Sequence, residues 1–136
     1  MDRNTAHRPG ELFPVPVAAG ARIYGGHVVC ADASGFAVPG APGLTVLGVA
    51  DDFADNRDGE QGAVLVMVRR GLSFHLGNDP AKPVTQAHTG KLCDLKDSTT
   101  VCAAAEDSTT PAGRVLEVTT DEIGRASCRE RVCLYV

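Results

Sequence analysis

Residues 17–71 constrain the fold most, because they consist of short apolar runs, each cut off by a turn rich in glycine, proline or aspartate. The runs are RIY at 22–24, VVCA at 28–31, FAV at 36–38, TVLGVA at 45–50 and AVLVMV at 63–68. Runs of this length, rich in Val and Ile and bounded by Gly, Pro, Asp and Ser, are strand signals. Gly25 and Gly26 allow the positive φ that a tight turn asks for. The DASG segment at 32–35 has hairpin-turn chemistry. The stretch therefore reads as a compact β scaffold, and no single site within it looks like chemistry.

The flanking segments extend this pattern. Residues 1–11 are polar, carry a Pro9–Gly10 turn and read as an arm. Leu12 to Val17 is an apolar extended run whose prolines, Pro14 and Pro16, restrict it to a sheet edge. Leu12, Phe13 and Val15 are its candidate contact residues. They either engage a partner by adding to its sheet or cover the domain's own core, and both readings stay open. The run at 63–68 is apolar on both faces, which predicts a central strand. Phe36 and Val38 are expected to face the core, as is Phe74, with His75 outside. Thr85 stands as the N-cap of one short helical turn that ends at Gly90. With strands at 92–95, 100–104 and 114–119 the count is about nine. The fold class is all-β: a small single-domain barrel or sandwich with at most one short helical turn and an extended N-terminal arm. The domain limits read as an arm at 1–16, a β domain at 17–121 and a tail at 122–136.

Composition narrows the function. A formal net charge of −4 argues against a general binder of nucleic acid, which needs clustered Lys and Arg. The longest apolar run is too short to cross a bilayer. The N-terminal residues lack the apolar core of a secretory signal, so the expectation is synthesis and folding in a cytoplasm. Five cysteines without a Cys-x-x-Cys pair, and four scattered histidines, read as idle thiols rather than a zinc site. The acidic loop holding Asp51, Asp52, Asp55, Asp58 and Glu60 fails the calcium-loop pattern, since Phe53 and Asn56 stand at its third and sixth positions. It reads as a solvated hairpin loop. Arg69 and Arg70 at a strand end read as solvated rather than as a site for an acidic partner.

No nucleophile elbow, phosphate loop or zinc-protease motif is present. His27 and Cys30, three apart on one strand, point to opposite faces. Asp94 and Asp97 are separated in the same way. The expectation is a non-enzymatic chain with no catalytic residue, cofactor or metal.

The tail has a different character. Residues 122–132, EIGRASCRERV, resemble the in-frame translation of a short sequencing adaptor, and such segments are set aside in reading a fold. On that reading Cys128 and Cys133 leave the cysteine count and the scaffold lacks its native closing strand, leaving an open edge. The alternative is a basic C-terminal helix that binds a partner.

Across residues 12–121 the chain resembles the head decoration, or capsid cement, proteins of tailed phages and prophages. The likeness lies in PVAAGARIYGG at 16–26, ASGFAVP at 33–39, LTVLGVA at 44–50 and VMVRRG at 66–71. It continues in VTQAHTGKLC at 84–93, DSTTV at 97–101 and AGRVLEV at 112–118. The resemblance implies a structural protein of the virion, made in the bacterial host cytoplasm. Such a protein binds the major capsid protein on the outer capsid surface and bridges neighbouring subunits. It also implies a homo-oligomer, suspected to be a trimer, with the N-terminal arm contributing to attachment and Leu12, Phe13 and Val15 touching the capsid or a sister subunit. The alternatives are a phage tail or baseplate β module and a small β-barrel enzyme or accessory domain.

Overall fold

A computed structural model describes residues 1–6, 10–121 and 129–136. In chain order the strands are β1 (Leu12–Pro16), β2 (Arg22–Ile23), β3 (Val28–Ala31), β4 (Ala37–Pro39), β5 (Thr45–Ala50) and β6 (Ala54–Asp55). They continue as β7 (Leu65–Arg69), β8 (Ser73–Asn78), β9 (Leu92–Leu95), β10 (Thr100–Ala103), β11 (Gly113–Asp121) and β12 (Arg129–Tyr135). One turn of 3-10 helix at Gln86–His88 is the only helical element among the described residues. The architecture is all-β, as the runs predict. It combines a five-stranded sheet in the order β1-β7-β5-β3-β4, a closed barrel in the order β10-β8-β12-β11-β9, and a β2-β6 ribbon.

Two cores result, and β3 is the wall between them. Side chains alternate across a strand, so Val29 enters a first core with Val17, Ile23, Ala37, Ala50, Val66 and Val68. Val28 and Cys30 face the other way and join Val49, Leu76, Cys93, Leu95, Val101 and Val115 in the core of the barrel. The barrel thus covers the outer face of β3 and of part of β5. A run apolar on both faces, such as VVCA, is what a wall between two cores requires. The expectation for Phe36 and Val38 holds in part: Val38 packs against the barrel core, Phe36 is half-buried and belongs to neither core, and Ala37 between them is fully buried in the first. Phe74 packs inward and His75 is exposed, as their spacing predicts.

Gly48 holds the bulge where β5 changes register against β3. A Cβ there would collide with the Arg69 carbonyl and the Val68 side chain, so only glycine fits.

Two expectations change. The acidic loop is not wholly solvated: Ala54 and Asp55 pair with Ile23 and Arg22, and Asn56 is buried behind them. The β body also continues past 121. β12 lies between β8 and β11, with Val132 opposite Leu76 and Val118, and Leu134 opposite Phe74 and Val115. Val132 and Leu134 are fully buried. Strand pairing asks only for alternation at the right register, and RVCLY supplies it whatever the segment's origin. The rest of the adaptor-like segment, with Cys128, falls at 122–128, outside the described residues.

Candidate interaction surface

The N-terminal run is a built-in strand. β1 pairs antiparallel with β7, from Leu12 opposite Arg69 to Pro16 opposite Leu65. Arg70 N–H donates to the Glu11 carbonyl, and Val17 N–H donates to the Val64 carbonyl. In an antiparallel ladder the N–H and C=O of alternate residues point the same way. Residues 11, 13, 15 and 17 therefore turn their backbone groups to β7. Leu12, Pro14 and Pro16 turn theirs to the other side, where a missing N–H costs nothing, and a parallel bridge between Val17 and Ala37 brings β4 against the end of that side.

Side chains sort the same way. Val15 packs against the first core, beside Val17, Val66 and Val68, and Phe13 lies on that face at half burial. Leu12, Pro14, Pro16, Leu65 and Met67 share the opposite face, with Arg69 at its border. On that same face β5 presents Val49, buried beneath the barrel. Arg69 stands between Leu12 and Val49 in this row, so the outer face divides there: the barrel covers Val49, and the β1–β7 patch lies outside it. Leu65 is 59% exposed, and Pro14 and Pro16 are exposed. The expectation that the 63–68 run is buried on both faces holds for its central position in the sheet and fails for this face. Arg69 is held at the border by Asp51, which accepts from Nε at 3.0 Å and Nη2 at 2.9 Å.

Of the three candidate residues, Leu12 thus stands on the open face and Val15 covers the chain's own core. Leu65 and Met67 join Leu12 there. The sequence signal for them was the in-register alternation with β1, which becomes visible only once the pairing is known.

A second exposed feature is aromatic. Tyr24 and Phe53 stack with ring centroids 5.2 Å apart, and the Arg22 guanidinium lies 5.8 Å from the Tyr24 ring centre. Both rings are about half exposed.

A cleft of about 800 Å³ lies between the β4–β5 loop and segments 79–83, 94–96 and 102–106. Its two aspartates are engaged. Asp79 accepts from Ala81 N–H at 3.0 Å and from Lys96 Nζ at 3.0 Å. The Ala81 N–H, and then the Lys96 ammonium, hold its carboxyl below the usual value. Asp94 accepts from Ala105 N–H and from the Ser108 hydroxyl. Cys102 lines the cleft, and burial followed by the neighbouring Asp94 and Asp79 charges pushes its thiol pKa up, away from nucleophilic character. Burial raises Cys93 further, to about 12. Among the described residues no group of three or more His, Cys, Asp or Glu side chains is placed to hold a metal ion.

Comparison with protein families, with curated proteins and with solved structures finds no match to this chain.

Proposed function

We propose that the chain is a structural head protein of a tailed phage or prophage. It binds the major capsid protein on the outer surface of the assembled shell and stabilises it, as a homo-oligomer suspected to be a trimer. The observation that carries this reading is the open apolar face of β1 and β7, which includes Leu12. Contiguous exposed apolar surface marks interaction sites. The decoration-protein resemblance across 12–121 says which partner. The role is mechanical, and the site is a virion surface. The cleft gives less support to the enzyme alternative, since its two aspartates are already satisfied from within.

The test is co-sedimentation of the full chain with empty expanded capsids of the phage or prophage that encodes it. Deleting residues 1–16 would remove β1 and disturb the sheet, so the arm is tested by deleting residues 1–10. Saturable binding to capsids supports the reading; absence of binding at micromolar concentration overturns it.

A further inference from the structure

We infer that Asp58–Gly59 is a modification site, where the chain converts itself through a succinimide to isoaspartate and so becomes a substrate for an isoaspartyl methyltransferase. The inference stands apart from capsid binding. Asp58 is the one aspartate followed by glycine, and no asparagine is followed by one. The ring closes when the next backbone nitrogen attacks the side-chain carboxyl carbon. A neighbour without Cβ leaves that nitrogen open and lets the backbone adopt the ring geometry.

The other loop aspartates are held. Asp32, Asp55, Asp79 and Asp97 each accept from the N–H two residues on, at 2.9, 3.1, 3.0 and 2.8 Å. These Asx turns tie the carboxylate to a different nitrogen from the one that would attack it. Asp58 is exposed in the β6–β7 loop, and among the described residues its carboxylate has no hydrogen bond or ion pair. Gly59 N–H donates to the Asn56 carbonyl at 3.2 Å, at the long end of the range, and this bond must open for the reaction.

In the first step a bond forms from Gly59 N to Asp58 Cγ, the nitrogen loses its proton, and a carboxyl oxygen leaves as water. Water then opens the ring. Cleavage at Cγ restores aspartate, whereas cleavage at the main-chain carbonyl carbon leaves the peptide running through Cγ and frees an α-carboxylate. Atoms balance, and no oxidant or cofactor enters. The product has one more methylene in the main chain beside Gly59, where there is no space: a Cβ on Gly59 would strike the Asn56 side chain and crowd Ala63. Asn56 Nδ2 holds the Glu60, Val17 and Ala18 carbonyls. Gln61 Oε1 accepts from Ala19 N–H at 2.7 Å, and Gly62 N–H donates to the Val17 carbonyl at 2.9 Å. The loop at 56–62 thus clamps residues 17–19, where the chain leaves β1, and isoaspartate at 58 loosens that clamp.

The experiment ages the full chain in mildly acidic buffer, well below its melting temperature. Isoaspartate is read by methyl transfer from S-adenosylmethionine with a purified isoaspartyl methyltransferase, and placed by peptide mapping. Conversion at Asp58 should exceed that at each of the four aspartates held in Asx turns about tenfold. Asp58→Glu keeps the charge but would need a six-membered ring, so it should accept no methyl group at this position. The converted fraction of wild type should melt about 4 °C below fresh protein, while aged Asp58→Glu should melt with its fresh counterpart. No isoaspartate at residue 58, or equal conversion at the held aspartates, overturns the site. A converted fraction that melts with fresh protein overturns the loosened clamp.

Discussion

Val28 and Val29 are neighbours in sequence but belong to different cores: Val29 is buried in the core of the sheet, and Val28 in the core of the barrel. The peptide between them is the wall that joins the two. The structure is held as one body here, with Val28 N–H donating to the Ser98 carbonyl at 2.7 Å and His27 Nδ1 2.8 Å from the Ser98 hydroxyl.

Val28→Ala and Val29→Ala should each lower the unfolding free energy by about 1–3 kcal/mol, from lost burial and the cavity left behind. Leu65→Ala, on the open face, should change it by less than about 0.5 kcal/mol. Urea denaturation of the three variants checks the contrast.

Truncation after Asp121 should abolish cooperative folding of the barrel. It removes β12 from between β8 and β11, together with the fully buried Val132 and Leu134. Each such side chain stabilises by about 1.5–3 kcal/mol, against a total of about 5–15 kcal/mol for a domain. The expected result is loss of amide dispersion in the NMR spectrum of the 1–121 fragment. A native-like spectrum would show that the barrel closes without β12.

Asn56 is the polar keystone of the first lobe. Its side-chain amide donates to the carbonyls of Val17, Ala18 and Glu60, at 3.1, 3.1 and 2.8 Å. Asn56→Ala leaves these acceptors without that donor and should cost about 2–3 kcal/mol. Asn56→Asp should cost more, since a carboxylate would face three carbonyl oxygens. Thermal melts of both variants give the order.

The Asp79–Lys96 pair gives stability a pH dependence. The folded pKa of Asp79 is depressed below its ordinary 3.8. Its contribution is therefore present above the unfolded value and is lost as pH falls through the folded one. That of Lys96 is raised above 10.5, so its contribution is full below the unfolded value and is lost as pH rises through the folded one. Asp79→Asn should melt lower than wild type at pH 6, with the gap shrinking towards pH 3. A gap that stays constant across this range would contradict the assignment.

Much of this fold was legible in the chain, because glycine-cut runs such as VVCA and TVLGVA leave little besides strands. The double use of β3 was not. Burial on both faces looks the same whether a strand is covered by helices, by a second sheet or by a barrel. β6 was hidden because Ala54 and Asp55 sit in an acidic loop whose character follows its charges, while two backbone pairings with Arg22 and Ile23 decide its structure. β12 was missed because the adaptor-like segment at 122–132 was set aside with the residues after it, although Val132 and Leu134 alternate as a strand requires. The open face was only half legible: Leu12 stood out as apolar, but Leu65 and Met67 looked like core until the barrel was seen to stop at β5.

The most direct test of capsid binding is electron cryomicroscopy of empty expanded capsids incubated with a molar excess of the full chain. The account predicts added density at repeated positions on the outer surface, contacting the shell through β1 and β7. Shells identical to untreated ones, or density confined to the interior or to the tail vertex, would contradict it.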